Sequence, residues 1–456
     1  MAGSHREGSK DRSGRKLLLV LLCGYYSGVA FAADDARTYK VLAVGSLKAE
    51  VVCSVTPASS SGTTVPLNHR YGPCSPAPSA KVPTILELLE HDQLRAKYIQ
   101  RKLSGTEGLQ PLDLTVPTTL GSALDTMEYV ITVGIGSPAV TQTMMIDTGS
   151  DVSWVRCNST DGLTLFDPSK STTYAPFSCS SAACAQLGNN GDGCSNSGCQ
   201  YRVQYGDGSN TTGTYSSDTL ALSASDTVTD FHFGCSHHEE DFDGEKFDGL
   251  MGLGGDAQSL VSQTAATYGK SFSYCLPPTN RTSGFLTFGA PNGTSGGFVT
   301  TPMLRWPKAP TLYGVLLQDI SVGGTPLGIQ PSVLSNGSVM DSGTVITWLP
   351  RRAYSALSSA FRSSMTRLRH QRAAPLGILD TCYDFTGLVN VSIPAVSLVL
   401  DGGAVVDLDG NGIMIQDCLA FAATSGDSII GNVQQRTFEV LHDVGQGVFG
   451  FRSGAC

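Results

Sequence analysis

A short segment, Met145-Ile146-Asp147-Thr148-Gly149-Ser150, returns as Val339-Met340-Asp341-Ser342-Gly343-Thr344. Six residues past each Asp begins a matching triplet, Ser153-Trp154-Val155 and Thr347-Trp348-Leu349. A second echo follows, with Gly249-Leu250-Met251-Gly252 after the first Asp and Ile429-Ile430-Gly431 after the second. One Asp-Ser/Thr-Gly triplet is weak, because such triplets commonly serve as turns. Two with matching flanks in one chain point to two homologous lobes. Each Asp follows apolar residues that read as buried strand and precedes a Gly that permits a sharp turn, so each lobe is expected to present a carboxylate at a loop tip. The competing reading is a pair of unrelated turn aspartates, which leaves the shared flanks unexplained.

The texture around the repeat is sheet-rich. Short β-type runs such as Tyr129–Val133 and Phe285–Phe288 alternate with turn residues, and 52 glycines with only 15% charged residues disfavour a helical bundle. The hydrophobic fraction of 41% is enough for a sizeable core and excludes a disordered chain. Three helices are predicted: Val82–Lys102 with Ser104-Gly105 ending it, a short one over Ala257–Tyr268, and Arg351–His370, whose Tyr354, Leu357, Phe361, Met365 and Leu368 share a face. Arg362, Arg367, Arg369 and Arg372 read as its solvated face, and His237-His238-Glu239-Glu240 as a solvated acidic loop rather than a metal site. Residues 1 to 120 carry 14 Lys+Arg against 10 Asp+Glu, whereas residues 121 to 456 carry 16 against 29. An acidic body offers no basic stripe for a nucleic acid, but a basic front can dock on it.

Arg12, Arg15 and Lys16 precede an apolar run that ends at Ala30-Phe31-Ala32, the layout of a secretory signal over residues 1–32. The alternative, a membrane anchor, is disfavoured by the short run and its Gly24, Ser27 and Gly28. Cysteine usage fits an oxidising compartment. Beyond Cys23 inside the signal and Cys53 and Cys74 after it, there remain Cys157, Cys179, Cys184, Cys194, Cys199, Cys235, Cys275, Cys382, Cys418 and Cys456, an even set consistent with five bridges. A thiolate zinc site at Cys179, Cys184, Cys194 and Cys199 lacks the Cys-x-x-Cys knuckle. Six sequons, beginning at Asn158, Asn210, Asn280, Asn292, Asn336 and Asn390, fit a secreted glycoprotein.

If the lobes face each other, Asp147 and Asp341 meet in a cleft. Carboxylates forced together cannot both ionise near neutrality, so the pair holds one proton over a wide acid range. The charged member can then take a proton from water while the protonated member polarises a peptide carbonyl.

With the repeat, the run Phe247–Leu253 and Ile429-Ile430-Gly431-Asn432, residues 125 to 456 resemble the pepsin-type aspartic proteases. The Cys-rich insertion and the Asp-Ser-Gly-Thr second motif bring them nearest the nepenthesin-like plant subgroup, whose pro-segments Leu67–Cys74 also resembles. The resemblance implies a mostly β, bilobal pepsin-like fold with two pseudo-twofold-related lobes. Asp147 and Asp341 would be the catalytic pair, with supporting residues Thr148, Gly149, Ser150, Ser342, Gly343 and Thr344. Ser150 and Thr344 would bond the outer carboxylate oxygens, and Thr148 and Ser342 would tie the loops together. Tyr205 and Gly206 would lie on the flap; independently, Asp207-Gly208 between two β-type runs is a hairpin signal. A cross-strand packing role for Tyr205 is the alternative, and Trp154 and Trp348 read as packing residues. One departure is that Cys157 is followed by Asn158-Ser159-Thr160 where the subgroup carries further cysteines. The expected pairings include Cys157 with Cys235 and Cys382 with Cys418.

The expected layout is therefore signal 1–32, pro-segment 33–120, an N-terminal β lobe over 121–290 and a C-terminal β lobe over 291–456. The expected product is a secreted, monomeric aspartic endopeptidase made as a zymogen, without cofactor, metal or membrane anchor. Its partners would be a protein or peptide substrate and its own pro-segment, and its location the apoplast or cell wall, with the vacuole as the other option. The rival expectation is a catalytically silent pepsin-like binding or inhibitor protein of the extracellular matrix.

Overall fold

The computed structural model describes residues 38–47, 53–55, 62–76, 82–105, 128–157, 165–205, 209–240, 242, 246–277, 282–289 and 297–455. The signal region, Gly206, Cys456 and the sequon asparagines Asn158, Asn280 and Asn292 lie outside them.

Each half of the repeat folds into the same wedge of three strands. In the first, Val140–Asp147 pairs in parallel with Gly249–Gly252, which runs antiparallel to Trp154–Arg156. In the second, Ser338–Met340 pairs in parallel with Ser428–Ile430, which runs antiparallel to Thr347–Pro350. The second echo in the sequence is therefore the middle strand of each wedge. A Cβ on Gly252 would lie 2.3 Å from the Asp151 carbonyl oxygen, and one on Gly431 would lie 2.5 Å from that of Ile346. Only glycine lets the loop after each Asp cross so close to the middle strand.

Around these wedges the chain is mostly β, in sheets of sixteen, six and four strands with smaller two-stranded pieces. Gly198–Gln204 and Asn210–Ala221 form the expected hairpin, Gln204 facing Asn210 and the Tyr205 N–H donating to the Ser209 carbonyl at 2.8 Å. His237–Glu240 is not a loop but the end of the long strand Thr227–Glu240. Cys179–Cys194 and Cys184–Cys199 are disulfides, so those four sulfurs offer no thiolate for zinc. Cys53–Cys74, Cys157–Cys235 and Cys382–Cys418 are also bonded, and Cys275 is a disulfide half.

The helices differ from the sequence pattern at their ends. The first runs Ile85–Ser104, because Pro83 leaves Thr84 as the cap: its hydroxyl accepts from the Glu87 N–H and the Glu87 carboxylate accepts from the Thr84 N–H. The second splits at Thr264 into Leu260–Gln263 and Ala265–Tyr268. The third spans Arg351–Arg367 and stops before Arg369, which takes a left-handed φ of 62°. Arg362 on it is not merely solvated, since it donates to Asp380 at 2.7 Å and to Thr381.

The leading segment is woven into both halves. Tyr39–Ala43 pairs with Asn390–Pro394, while Thr63–His69 lies between Thr282–Phe288 and Tyr129–Ile135 inside the largest sheet. Val65 and Leu67 on it are fully buried. At its end the His69 ring lies 3.3 Å from Glu128, whose other oxygen accepts from Arg436 at 2.9 Å. Burial works to raise the Glu128 carboxyl, but the Arg436 guanidinium and His69 hold it below the ordinary value.

Candidate active site

Asp147 ends the first wedge's leading strand and Asp341 follows directly on the second's, and both side chains are buried. The two loops are stitched reciprocally. The Ser342 N–H donates to the Thr148 hydroxyl at 3.0 Å, the Thr148 N–H donates to the Ser342 hydroxyl at 3.3 Å, and the hydroxyls themselves are 3.2 Å apart. Each lobe thus caps a buried amide of the other, so neither loop is free to drift.

The outer oxygens are treated unequally. The Thr344 hydroxyl donates to Asp341 Oδ2 at 2.5 Å. Ser150, expected to do the same for Asp147, does not: its buried hydroxyl has no hydrogen-bond partner, and Asp147 Oδ1 accepts the Gly149 N–H at 2.9 Å instead. The loop glycines also have a different reason from the one expected. Neither Gly149 nor Gly343 takes a positive φ. A Cβ on Gly343 would instead lie 2.4 Å from the Arg95 guanidinium, and one on Gly149 2.8 Å from it, so what they permit is close approach to the carboxylates.

Arg95, on the helix Ile85–Ser104, sits between the two acids. Its Nη2 donates to Asp147 Oδ1 at 2.6 Å and to Asp341 Oδ1 at 2.7 Å, while Nε donates to Asp341 Oδ2 at 2.6 Å. One nitrogen therefore touches an oxygen of each Asp. Burial opposes charge on Asp341 and Arg95, but the guanidinium and the Thr344 hydroxyl hold the Asp341 carboxyl below the ordinary carboxylate value, and the two acids raise the Arg95 pKa.

Three further side chains hold the helix here. Asp92 accepts from the Val345 N–H at 2.6 Å, the Ile346 N–H at 3.3 Å and Trp348 Nε1 at 2.9 Å. Burial is the main force on its carboxyl and, although these bonds oppose it, the pKa rises to about 7. The Gln100 amide donates to the Asp427 carbonyl at 2.6 Å and accepts its N–H at 2.8 Å, and Lys102 Nζ donates to the Gly149 carbonyl at 3.4 Å.

On the hairpin side, the Trp154 indole N–H donates to the Tyr205 hydroxyl at 2.7 Å, and Phe242 and Phe247 pack on Trp154. Burial pushes the Tyr205 hydroxyl well above its usual pKa. The tryptophans are thus polar partners as well as packing residues, one for Tyr205 and one for Asp92. The reading from sequence missed Asp92, Arg95 and Gln100 as parts of this site. The signal was present: Leu88, Leu89, Ala96 and Ile99, with half-buried Ile85, form the inward stripe of the helix, and Asp92 and Arg95 fall within that stripe.

Two buried carboxylates that reach a common atom can share a proton once the guanidinium is withdrawn, one as base and one as acid.

Residues 129–290 match the family profile described as Xylanase inhibitor N-terminal, and residues 312–453 match Xylanase inhibitor C-terminal. The chain is 38% identical to an aspartyl protease family protein of Arabidopsis thaliana, over 96% of this chain and 98% of that protein. It is 31% identical to the aspartic proteinase nepenthesin-1 of Nepenthes gracilis, over 88% of this chain and 95% of that one. Among solved structures, the crystal structure of edgp aligns with a TM-score of 0.62 at 21% identity, covering 74% of this chain and 92% of its own, a likeness of fold. The duplicated wedges, the facing aspartates and these relatives agree: the chain belongs to the pepsin-like aspartic protease family.

Proposed function

We propose that the protein is an aspartic endopeptidase made as a zymogen, with Asp147 and Asp341 as the catalytic pair and residues 38–105 within its pro-segment. The observation that carries this reading is the Arg95 bridge. A guanidinium in contact with both acids offsets their charge and occupies the space a scissile peptide needs, so the chain with this helix docked is latent. Once the helix leaves, the pair retains one proton; the ionised acid removes a proton from a bound water, and the other donates a hydrogen bond to the peptide carbonyl. The water oxygen adds to the carbonyl carbon, and the proton passes to the leaving nitrogen as the C–N bond breaks. Tyr205, on the hairpin and fixed by Trp154, is placed to cover the peptide and exclude water. The charge split between the basic front and the acidic body, the even cysteine set and the leader pattern fit secretion to the apoplast or cell wall.

The test is incubation of the full-length chain at falling pH with a denatured protein substrate, followed by sequencing of the new amino terminus and mapping of cuts. Cleavage that is stopped by a statine-type transition-state mimic and abolished in Asp341→Asn supports the reading; an inert wild-type chain at every pH sinks it. The xylanase-inhibitor description of the matching profiles favours one rival, a binding protein that uses the cleft without turnover. Under that rival Asp341→Asn leaves partner binding intact and no cuts appear with either chain.

A further inference from the structure

Asp92 is a strange residue to bury in a helix that leaves. Among the described residues it meets three N–H donors and no cation: two successive backbone amides of the loop after Asp341 and the indole of Trp348. All three donors belong to the body, not to the helix, and Val345, Ile346 and Trp348 are themselves buried. When Asp92 departs, a cradle that offers donors to two oxygens and no acceptor is left open beside Asp341. Buried N–H groups without partners are costly, so the cradle selects for a replacement.

We propose that Val345 N–H, Ile346 N–H and Trp348 Nε1–H form a subsite for a side-chain carboxylate of a peptide lying in the cleft. The proposal rests on the reading of the cleft as peptide-binding and of Asp92 as its temporary occupant. The donor pattern sets the chemistry. Val345 serves one Asp92 oxygen, while Ile346 and Trp348 serve the other, which matches a carboxylate whose two oxygens both accept. A side-chain amide turns its NH₂ toward one of these donors, and a lone carbonyl oxygen cannot reach both positions. Burial, and to a smaller degree the neighbouring Asp341 charge, works against an ionised acid here, so the discrimination comes from the donors and is read where the acid stays ionised. Position follows from spacing. Asp92 and Arg95 are three residues apart on a helix, roughly 4.5 Å of rise. An extended peptide covers that in one or two residues at about 3.3 Å each. The acid is therefore expected within about two residues of the bond that lies over the aspartate pair.

The experiment uses the full-length chain carrying Asp92→Ala, Arg95→Ala, Gln100→Ala and Lys102→Ala, which removes the polar holds of the helix while leaving Thr63–His69 in its sheet, with release of the helix verified first by hydrogen exchange of its amides. A set of peptides carries one Glu, Gln or Ala walked over the two positions on each side of a fixed scissile bond, with binding measured above a pH of about 7, where a carboxyl in the cradle is ionised, and cutting measured at acid pH. Binding is read by calorimetry and cutting by mass spectrometry. The expected result is one position at which Glu binds at least ~10-fold more tightly than Gln, with that ratio falling toward one in a further Trp348→Phe variant. Equal binding of Glu and Gln at every position, or no binding of any Glu peptide, overturns the subsite. The Glu/Gln ratio of the parent chain decides the matter even if the Trp348 variant misfolds. Glu-selective binding without cutting keeps the subsite and removes the protease reading; cutting without Glu selectivity does the reverse.

Discussion

The aspartates share a repeat, yet their neighbours are not equivalent. Thr344 donates to Asp341, while the Ser150 hydroxyl is buried without a bond. Thr344→Val is therefore expected to destabilise the fold by about 1.5–3 kcal/mol, the range for a hydrogen bond to a charged group. Ser150→Ala is expected to stay within ~0.5 kcal/mol, because nothing is broken. Thermal unfolding of the two variants checks the difference, and equal losses refute it. The sequence carried the identity of this site but not its asymmetry. Asp147, Asp341, Thr148 and Ser342 were legible because a repeat marks equivalent positions. The unbonded Ser150 was not legible, since the repeat predicts the same bond twice and only local geometry decides which one forms. The glycine roles were legible as requirements but not as reasons: Gly149 and Gly343 make room for a guanidinium rather than a left-handed turn.

The helix Ile85–Ser104 carries two groups whose linkage to protons has opposite sign. Asp92 has its pKa raised from 3.8 to about 7 when docked. Its contribution to docking is full below 3.8 and is lost as pH rises through about 7, so acidification from neutrality tightens this contact. Asp341, held low by Arg95, contributes in the other direction: its share is present above the undocked pKa and lost as pH falls through the docked one. Docking of the helix is thus expected to be tightest toward the lower end of the Asp92 window and to weaken at more acidic pH. This differs from the steady loosening that the charge split between front and body suggests by itself. Hydrogen exchange of the helix amides as a function of pH checks it, and Asp92→Asn is expected to flatten the response between about 7 and 3.8. If the variant and the parent chain respond alike over that window, the assignment of the titrating group is wrong. The helix itself could be read from the spacing of Leu88, Leu89 and Ile99. Its ends could not, because Thr84 is set as the cap by its hydrogen bonds with Glu87, which outrank the pattern of apolar residues.

At the scale of the molecule, the leading segment is part of the sheet framework as well as a partner of the aspartate pair. Leu67 is fully buried in the core, on a strand where it pairs with Gly284 on one side and Ile131 on the other. Leu67→Ala is expected to cost about 2–5 kcal/mol of global stability. That loss should appear in denaturant unfolding of regions far from the cleft. A loss confined to the helix would show that the strand is only a tether. The duplicated wedges and mostly β character were evident from the repeat and the turn-rich texture. The insertion of Thr63–His69 was not, because a short run of β-type residues does not name its partners. Its two flanks come from very different parts of the chain: Tyr129–Ile135 soon after it, and Thr282–Phe288 much later. During synthesis on the ribosome, this strand must therefore wait with one edge unclaimed until the later partner emerges, which makes the nascent polypeptide dependent on whatever shields that edge in the interval.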